Sequence, residues 1–285
     1  MIGAIAGDII GSYWEFRDEK ERDTELFLPD STITDDSILS VATAESILRN
    51  QHYADMYRKY CRAYPTYGYG GSFVEWAQVS PNYCTPNGSY GNGSAMRVGP
   101  IGWAFDSIQR TMMEAHQSAS VTHMHPEGIK GAQAIASAIF MARTGMDKES
   151  IRLAIEEWFE YQTVFDFDVL HEEYTFTPTC QGTVPVALAC VFQADSFEET
   201  MRLGLHAGGD VDTLLAIAGS VAEPLFGIPE DIRSQSEAML MKHSPALLGM
   251  VLDFERQYGC GKVVKSKQSP RFEGFFTRFF KKGKQ

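Results

Sequence analysis

Apolar residues recur along this chain at the three- and four-residue spacing of a helix, and almost nowhere at the two-residue spacing of a strand. Ile38, Leu39, Val41, Ala42, Ala44, Ile47 and Leu48 form one broad apolar face behind Thr34–Ser37, residue types favoured at a helix start. Glu127–Arg143 is rich in Ala, which suits a closely packed helix, and Gly182–Gln193, Thr213–Phe226 and Arg233–Leu248 read the same way. The β-branched runs, Tyr174–Thr177 and Val263–Val264, are short and unpaired. The pattern predicts an all-α fold. Tyr64–Asn92 shifts to Pro, Gly, Tyr, Ser and Asn and is expected to be a long irregular loop.

The chain has 285 residues, and neither a repeat nor a Gly/Ser-rich linker divides it. One domain is expected over residues 1–260, followed by a basic, Phe-rich tail over 261–285. From Lys262 onward eight basic residues stand against Glu273 alone. Phe272, Phe275, Phe276, Phe279 and Phe280 have the spacing of one helical face, expected to pack on the chain's own acidic body, with a second subunit or an anionic membrane surface as the alternatives. The whole chain carries a net charge of −12, which gives nucleic acid no electrostatic reason to bind. Five cysteines, odd in number and scattered without a CxxC pair, fit reduced thiols in a cytoplasm better than a zinc site or disulfide framework. The opening MIGAIAGDIIG lacks a basic leader and is interrupted by Asp8, and nowhere do about 18 apolar residues run together, so neither a secretory signal nor a membrane span is expected.

Two clusters carry chemistry. Thr34-Asp35-Asp36-Ser37 and Gly208-Gly209-Asp210-Val211-Asp212-Thr213 each place acids and hydroxyls at the start of an apolar helix. Each alone is what helix capping asks for. Together, four carboxylates with neighbouring Thr hydroxyls supply the hard oxygen donors that magnesium or manganese takes. If the two helix starts face each other, their like charges repel unless cations lie between them.

Five motifs stand in a particular order: Gly7-Asp8-Ile9-Ile10-Gly11 with Glu15, Thr34-Asp35-Asp36-Ser37, Gly91-Asn92-Gly93-Ser94-Ala95-Met96-Arg97, Thr122-His123, and Gly209-Asp210-Val211-Asp212-Thr213. In this order the chain resembles the ADP-ribosylglycohydrolase family over about residues 1 to 230. The resemblance implies a single-domain orthogonal helical bundle, two Mg ions (or Mn), and release of ADP-ribose from a modified protein side chain, with arginine as the acceptor. It implies that Thr34, Asp35, Asp36, Asp210, Asp212 and Thr213 are metal ligands. Glu15 resembles a mobile glutamate that closes over the metals; with Asp35 and Asp36 it makes the candidate catalytic set, with no one base assigned. Asn92, Gly93 and Ser94 resemble a loop that holds diphosphate and ribose, and His123 a histidine lining the ligand site. Ser37 departs from the Thr of many relatives but keeps a hydroxyl. Two other functions are compatible with these residues: a noncatalytic, crystallin-like ADP-ribose binder, and a metal-dependent nucleotide phosphohydrolase.

Overall fold

The computed structural model describes residues 1–264 apart from 18, 21 and 80–87. Its helices are α1 (Ile2–Ser12), α2 (Asp35–Leu48), α3 (Tyr53–Ala63), α4 (Gly71–Gln78), α5 (Gly93–Met96), α6 (Gly99–Ala104), α7 (Ile108–Ser120) and α8 (Pro126–Arg143). There follow α9 (Lys148–Phe159), α10 (Phe167–Glu173), α11 (Cys180–Gln193), α12 (Phe197–Ala207), α13 (Val211–Phe226), α14 (Glu230–His243) and α15 (Pro245–Tyr258). Two-residue strands β1 (Ile228–Pro229) and β2 (Val263–Val264) pair in parallel. The all-α expectation holds.

The centre of the bundle is a helix pair in which backbones touch. Gly3, Gly7 and Gly11 lie four residues apart and therefore share one stripe of α1. A Cβ on Gly3 would stand 2.4 Å from the carbonyl oxygen of Gly219, one on Gly7 2.0 Å from that of Leu215, and one on Gly11 2.4 Å from the Cα of Asp212. Partners descend along α13 as the glycines ascend α1, so the helices run antiparallel. No side chain larger than hydrogen fits this contact without moving backbone. Ile2–Gly11 and Val211–Glu223 are buried throughout, as expected of helices covered on all sides. The neighbours α2, α11, α12 and α14 pack around this pair.

The structure departs from the sequence expectation in three places. Arg233–Leu248 is not one helix: α14 ends at His243, Ser244 is extended (φ −163°, ψ 115°), and α15 begins at Pro245. Proline lacks the N–H an interior position needs and disfavours helical backbone in the residue before it, whereas at the first helical position it costs nothing. The Tyr64–Asn92 segment is not irregular throughout, because Gly71–Gln78 forms α4 and buries Phe73, Trp76 and Ala77 at helical spacing, with the Arg58 guanidinium 4.0 Å from the Trp76 ring. Val263–Val264 is paired after all, its partners being Ile228 and Pro229. The Phe stripe of the tail lies outside the described residues. Among the described residues no helix is long and apolar enough to cross a membrane, and Cys61, Cys180, Cys190 and Cys260 are free thiols.

Candidate metal centre

Because α1 and α13 are antiparallel, the C-terminal end of α1 lies beside the start of α13. Asp8 then ties in α2. Its carboxylate accepts the Thr34 backbone N–H at 2.9 Å, the Thr34 hydroxyl at 2.7 Å, the Ser37 backbone N–H at 3.1 Å and the Ser37 hydroxyl. The orphan amides at the start of α2 are thus satisfied from another helix, and Thr34 itself caps the N–H of Asp36 at 3.3 Å. Capping therefore does not consume Asp35 and Asp36. On the other side, Gly208 and Gly209 (φ 78° and 87°) make the left-handed turn that ends α12 and delivers Asp210 to the start of α13.

The two clusters do face each other. One oxygen each from Asp8, Asp36 and Asp212 lie within 4.8 Å of one another, and so do oxygens from Glu15, Asp210 and Asp212. Asp212 joins both groups. The Thr34 and Thr213 hydroxyls each lie 3.3 Å from the second carboxylate oxygen of Asp36, while its first is buried and without a partner. Asp35 faces the same group: burial and the charges of Asp8, Glu15 and Asp210 raise its carboxyl to about 8. Burial, then Asp8 and the neighbouring acids, pushes Asp36 well above the usual carboxylate range; burial, then Asp36 and Asp210, does the same to Asp212. Half-buried Glu15 is raised to about 7 by desolvation and the Asp210 charge.

Six carboxylates thus crowd one buried site, and among the described residues none forms an ion pair with Lys or Arg. Lys20 and Arg17 are near, but Lys20 donates to the carbonyl oxygens of His171 and Tyr174, and Arg17 lies over the Tyr13 ring and donates to its carbonyl. The unpartnered Asp36 oxygen, the all-oxygen donor set and the uncompensated charge fit divalent hard cations.

The remaining residues singled out in the sequence adjoin this centre. The Asn92 amide donates to Asp210 at 2.7 Å and to the Thr183 hydroxyl at 3.1 Å, so its side chain orients an acid of the centre. Ser94 is fully buried and its hydroxyl donates to the Gly128 carbonyl at 2.7 Å, turning it toward α8. Gly93 packs on His123: a Cβ there would lie 3.3 Å from the ring's Nε2. Beyond Glu15 and Gly209 opens a cavity of about 610 Å³, lined further by Phe16, His171, Tyr174 and Phe176. Asp8 stands in the first of the five motifs, but the sequence alone assigns it no role in the site. Its signal is a lone acid in an otherwise apolar helix, where no water is available to solvate it.

Comparison with known proteins gives the family and the fold. The sequence profile of the ADP-ribosylglycohydrolase family matches residues 1–250. The chain belongs to the ADP-ribosylglycohydrolase family. Among relatives, it is 25% identical over 318 residues to ADP-ribosylhydrolase ARH3 of Mus musculus, covering 83% of this chain and 86% of that one. ADP-ribosylarginine hydrolase Tri1 of Pseudomonas putida is 26% identical over 149 residues, 48% of this chain and 39% of that protein. A solved structure named ADP-ribosylglycohydrolase-related protein complex superposes with a TM-score of 0.63 at 25% identity, covering 87% of this chain and 96% of that one. This placement in the ADP-ribosylglycohydrolase family supports an enzyme that releases ADP-ribose by hydrolysis.

Proposed function

We propose that this chain is a metal-dependent hydrolase that cleaves the bond between the anomeric carbon of ADP-ribose and a protein arginine, using two magnesium or manganese ions, within a catalytic domain spanning residues 1–260. The observation that carries the reading is the uncompensated six-carboxylate centre opening on a cavity. When bound, the ions would supply positive charge that lowers the pKa of a water and draws the distal ribose hydroxyls into place. Asp36, Asp210 and Asp212, with Asp35 and the Thr34 and Thr213 hydroxyls, would hold them, and Asp8 would keep the start of α2 in register while adding its own charge.

In the reaction, water oxygen bonds to the anomeric carbon as the carbon–nitrogen bond breaks. One water proton leaves through a site carboxylate and a proton arrives at the departing guanidine nitrogen. Glu15, at the cavity wall with a carboxyl that titrates near neutrality, is suited to hold or pass that proton, and Asp35 is a second candidate. Asn92 fixes Asp210 by donating to it, and the glycines of the Gly91–Gly93 turn let a diphosphate approach backbone N–H groups. The arginine acceptor is supported by the name of the Pseudomonas relative, and a cytoplasmic setting by the free thiols.

The test is incubation with arginine-ADP-ribosylated peptide and magnesium, with product identified by mass. Free ADP-ribose that disappears with chelator and returns with metal is the expected result. No product would point to a binding protein, and AMP with ribose phosphate to a nucleotide phosphohydrolase. Full activity in protein checked to be metal-free would overturn the metal role.

A further inference from the structure

Arg97 heads the fully buried side chains of the described structure by size, an unusual place for a permanent cation. Its guanidinium carbon lies 4.1 Å from the Tyr57 ring centroid, and Nη2 donates to the Thr122 hydroxyl oxygen at 2.8 Å and to the Ser118 carbonyl at 3.3 Å. A guanidinium has donors only, so the Thr122 oxygen must accept. The hydroxyl keeps one hydrogen to give, and the ring nitrogen within reach is Nδ1 of His123, at 2.8 Å; with the guanidinium already donating to this oxygen, we infer that the hydroxyl spends its hydrogen on Nδ1. An Nδ1 that accepts carries no hydrogen. Burial and the adjacent Arg97 charge press the His123 ring down to about 3, so it is neutral at ordinary pH. A neutral imidazole with a bare Nδ1 bears its hydrogen on Nε2. That nitrogen faces the Gly91–Gly93 turn, where a Cβ on Gly93 or Gly91 would stand 3.3 or 3.4 Å away.

We propose that Arg97 is a positioning residue which, through Thr122, locks His123 in its Nε2–H form, so that the ring presents a hydrogen-bond donor to an anionic oxygen held at the Gly91–Gly93 turn. The identity of that anion, the diphosphate of ADP-ribose, rests on the function proposed above; the tautomer does not. The arrangement uses a buried cation without placing it on the ligand. Charge sets the direction of the Thr122 hydroxyl, and a neutral donor faces the site. A ring free to switch tautomers would spend part of its time offering a lone pair to an anion, which repels it.

The test uses protein with ¹⁵N-labelled histidine and proton–nitrogen correlation spectra at about pH 7, with His123 assigned by its loss in His123→Gln. Nε2 is expected to be protonated and Nδ1 bare in the unliganded protein. Thr122→Val, which removes the hydroxyl at nearly constant volume and leaves Arg97 in place, should populate the Nδ1–H form and weaken ADP-ribose binding roughly tenfold by calorimetry. Thr122→Ser should restore both. A hydrogen on Nδ1 in the parent protein, or an unchanged tautomer in Thr122→Val, would overturn the lock. A changed tautomer with unchanged ADP-ribose affinity would overturn the donor role at the ligand. If the tautomer responds as described but no form of the protein binds ADP-ribose, the lock stands and the functional reading fails.

Discussion

The α1–α13 pair buries acids at both of its ends, and the two ends are solved differently. At one, Glu223 accepts the Met1 amino group, the Gly3 N–H at 2.9 Å and the Gly261 N–H at 2.9 Å, while Glu255 pairs with Arg233 at 2.7 Å. Each of these carboxylates meets a cation of the chain itself, the amino group of Met1 for Glu223 and the Arg233 guanidinium for Glu255, although Oε1 of Glu255 is buried without a hydrogen-bond partner. At the other end, Asp8 alone is fully hydrogen-bonded; burial raises Asp35, Asp36, Asp210, Asp212 and Glu15, and neighbouring acids push Asp35, Asp36 and Asp212 further up with no cation of the chain between them. A buried acid that finds its partner inside the protein is structural. One left to repel its neighbours has a use for a partner from solution, and that difference is what favours the second end as the proposed metal centre.

The comparison can be broken by three measurements. The largest effect is expected from Asp36→Asn, which should lower ADP-ribose release more than about 100-fold, beyond what loss of a supporting contact to a metal site costs. In chelator the same substitution should raise the melting temperature, because a neutral amide replaces a buried carboxyl whose charged form burial and its neighbours disfavour; a lower value would mean that the acids are compensated in a way the contacts do not reveal. Arg233→Met should do the reverse. With Glu255 left charged and buried, stability should fall by about 2 kcal/mol with or without magnesium, measured by denaturant unfolding, and activity per folded molecule should persist.

The smallest effect is a pH dependence. Asp35 and Glu15 titrate near 8 and 7 in the folded chain, above their ordinary values of 3.8 and 4.5. Folded protein therefore holds protons that unfolded protein has released, and metal-free stability should fall as pH rises through this window. His123, lowered to about 3, works oppositely: its contribution is complete above its ordinary value of 6.5 and is lost as pH falls toward 3. Between about pH 6.5 and 8 His123 is silent and the two acids act, and a loss of roughly 1 kcal/mol per pH unit is expected in chelator. Saturating magnesium should flatten it. A metal-free slope of the opposite sign would show that the acids are not buried against one another.

Much of this was legible in one dimension. Thr34–Ser37 and Asp210–Thr213 announce themselves because helix starts and hard-ligand sets use the same residue types, and α8, α11 and α13 because their apolar spacing is helical. The break at Pro245 could have been read from the proline alone. Gly3, Gly7 and Gly11 were visible as letters, but that they mark a backbone contact depends on Gly219 and Leu215, more than 200 positions away.

What only tertiary structure decided was who faces whom. Asp8 reads as an interruption of an apolar segment until α2 is laid across it, and Asn92 reads as part of a turn until its amide meets Asp210. Arg97, Thr122 and His123 stand in two motifs of the sequence, yet the direction of the hydroxyl between them follows from a cation buried against Tyr57. The physical reason is common to all three. Helix periodicity and capping are local, fixed within a few residues, whereas the pairing of a buried polar atom depends on which distant group the packing brings within 3 Å or so.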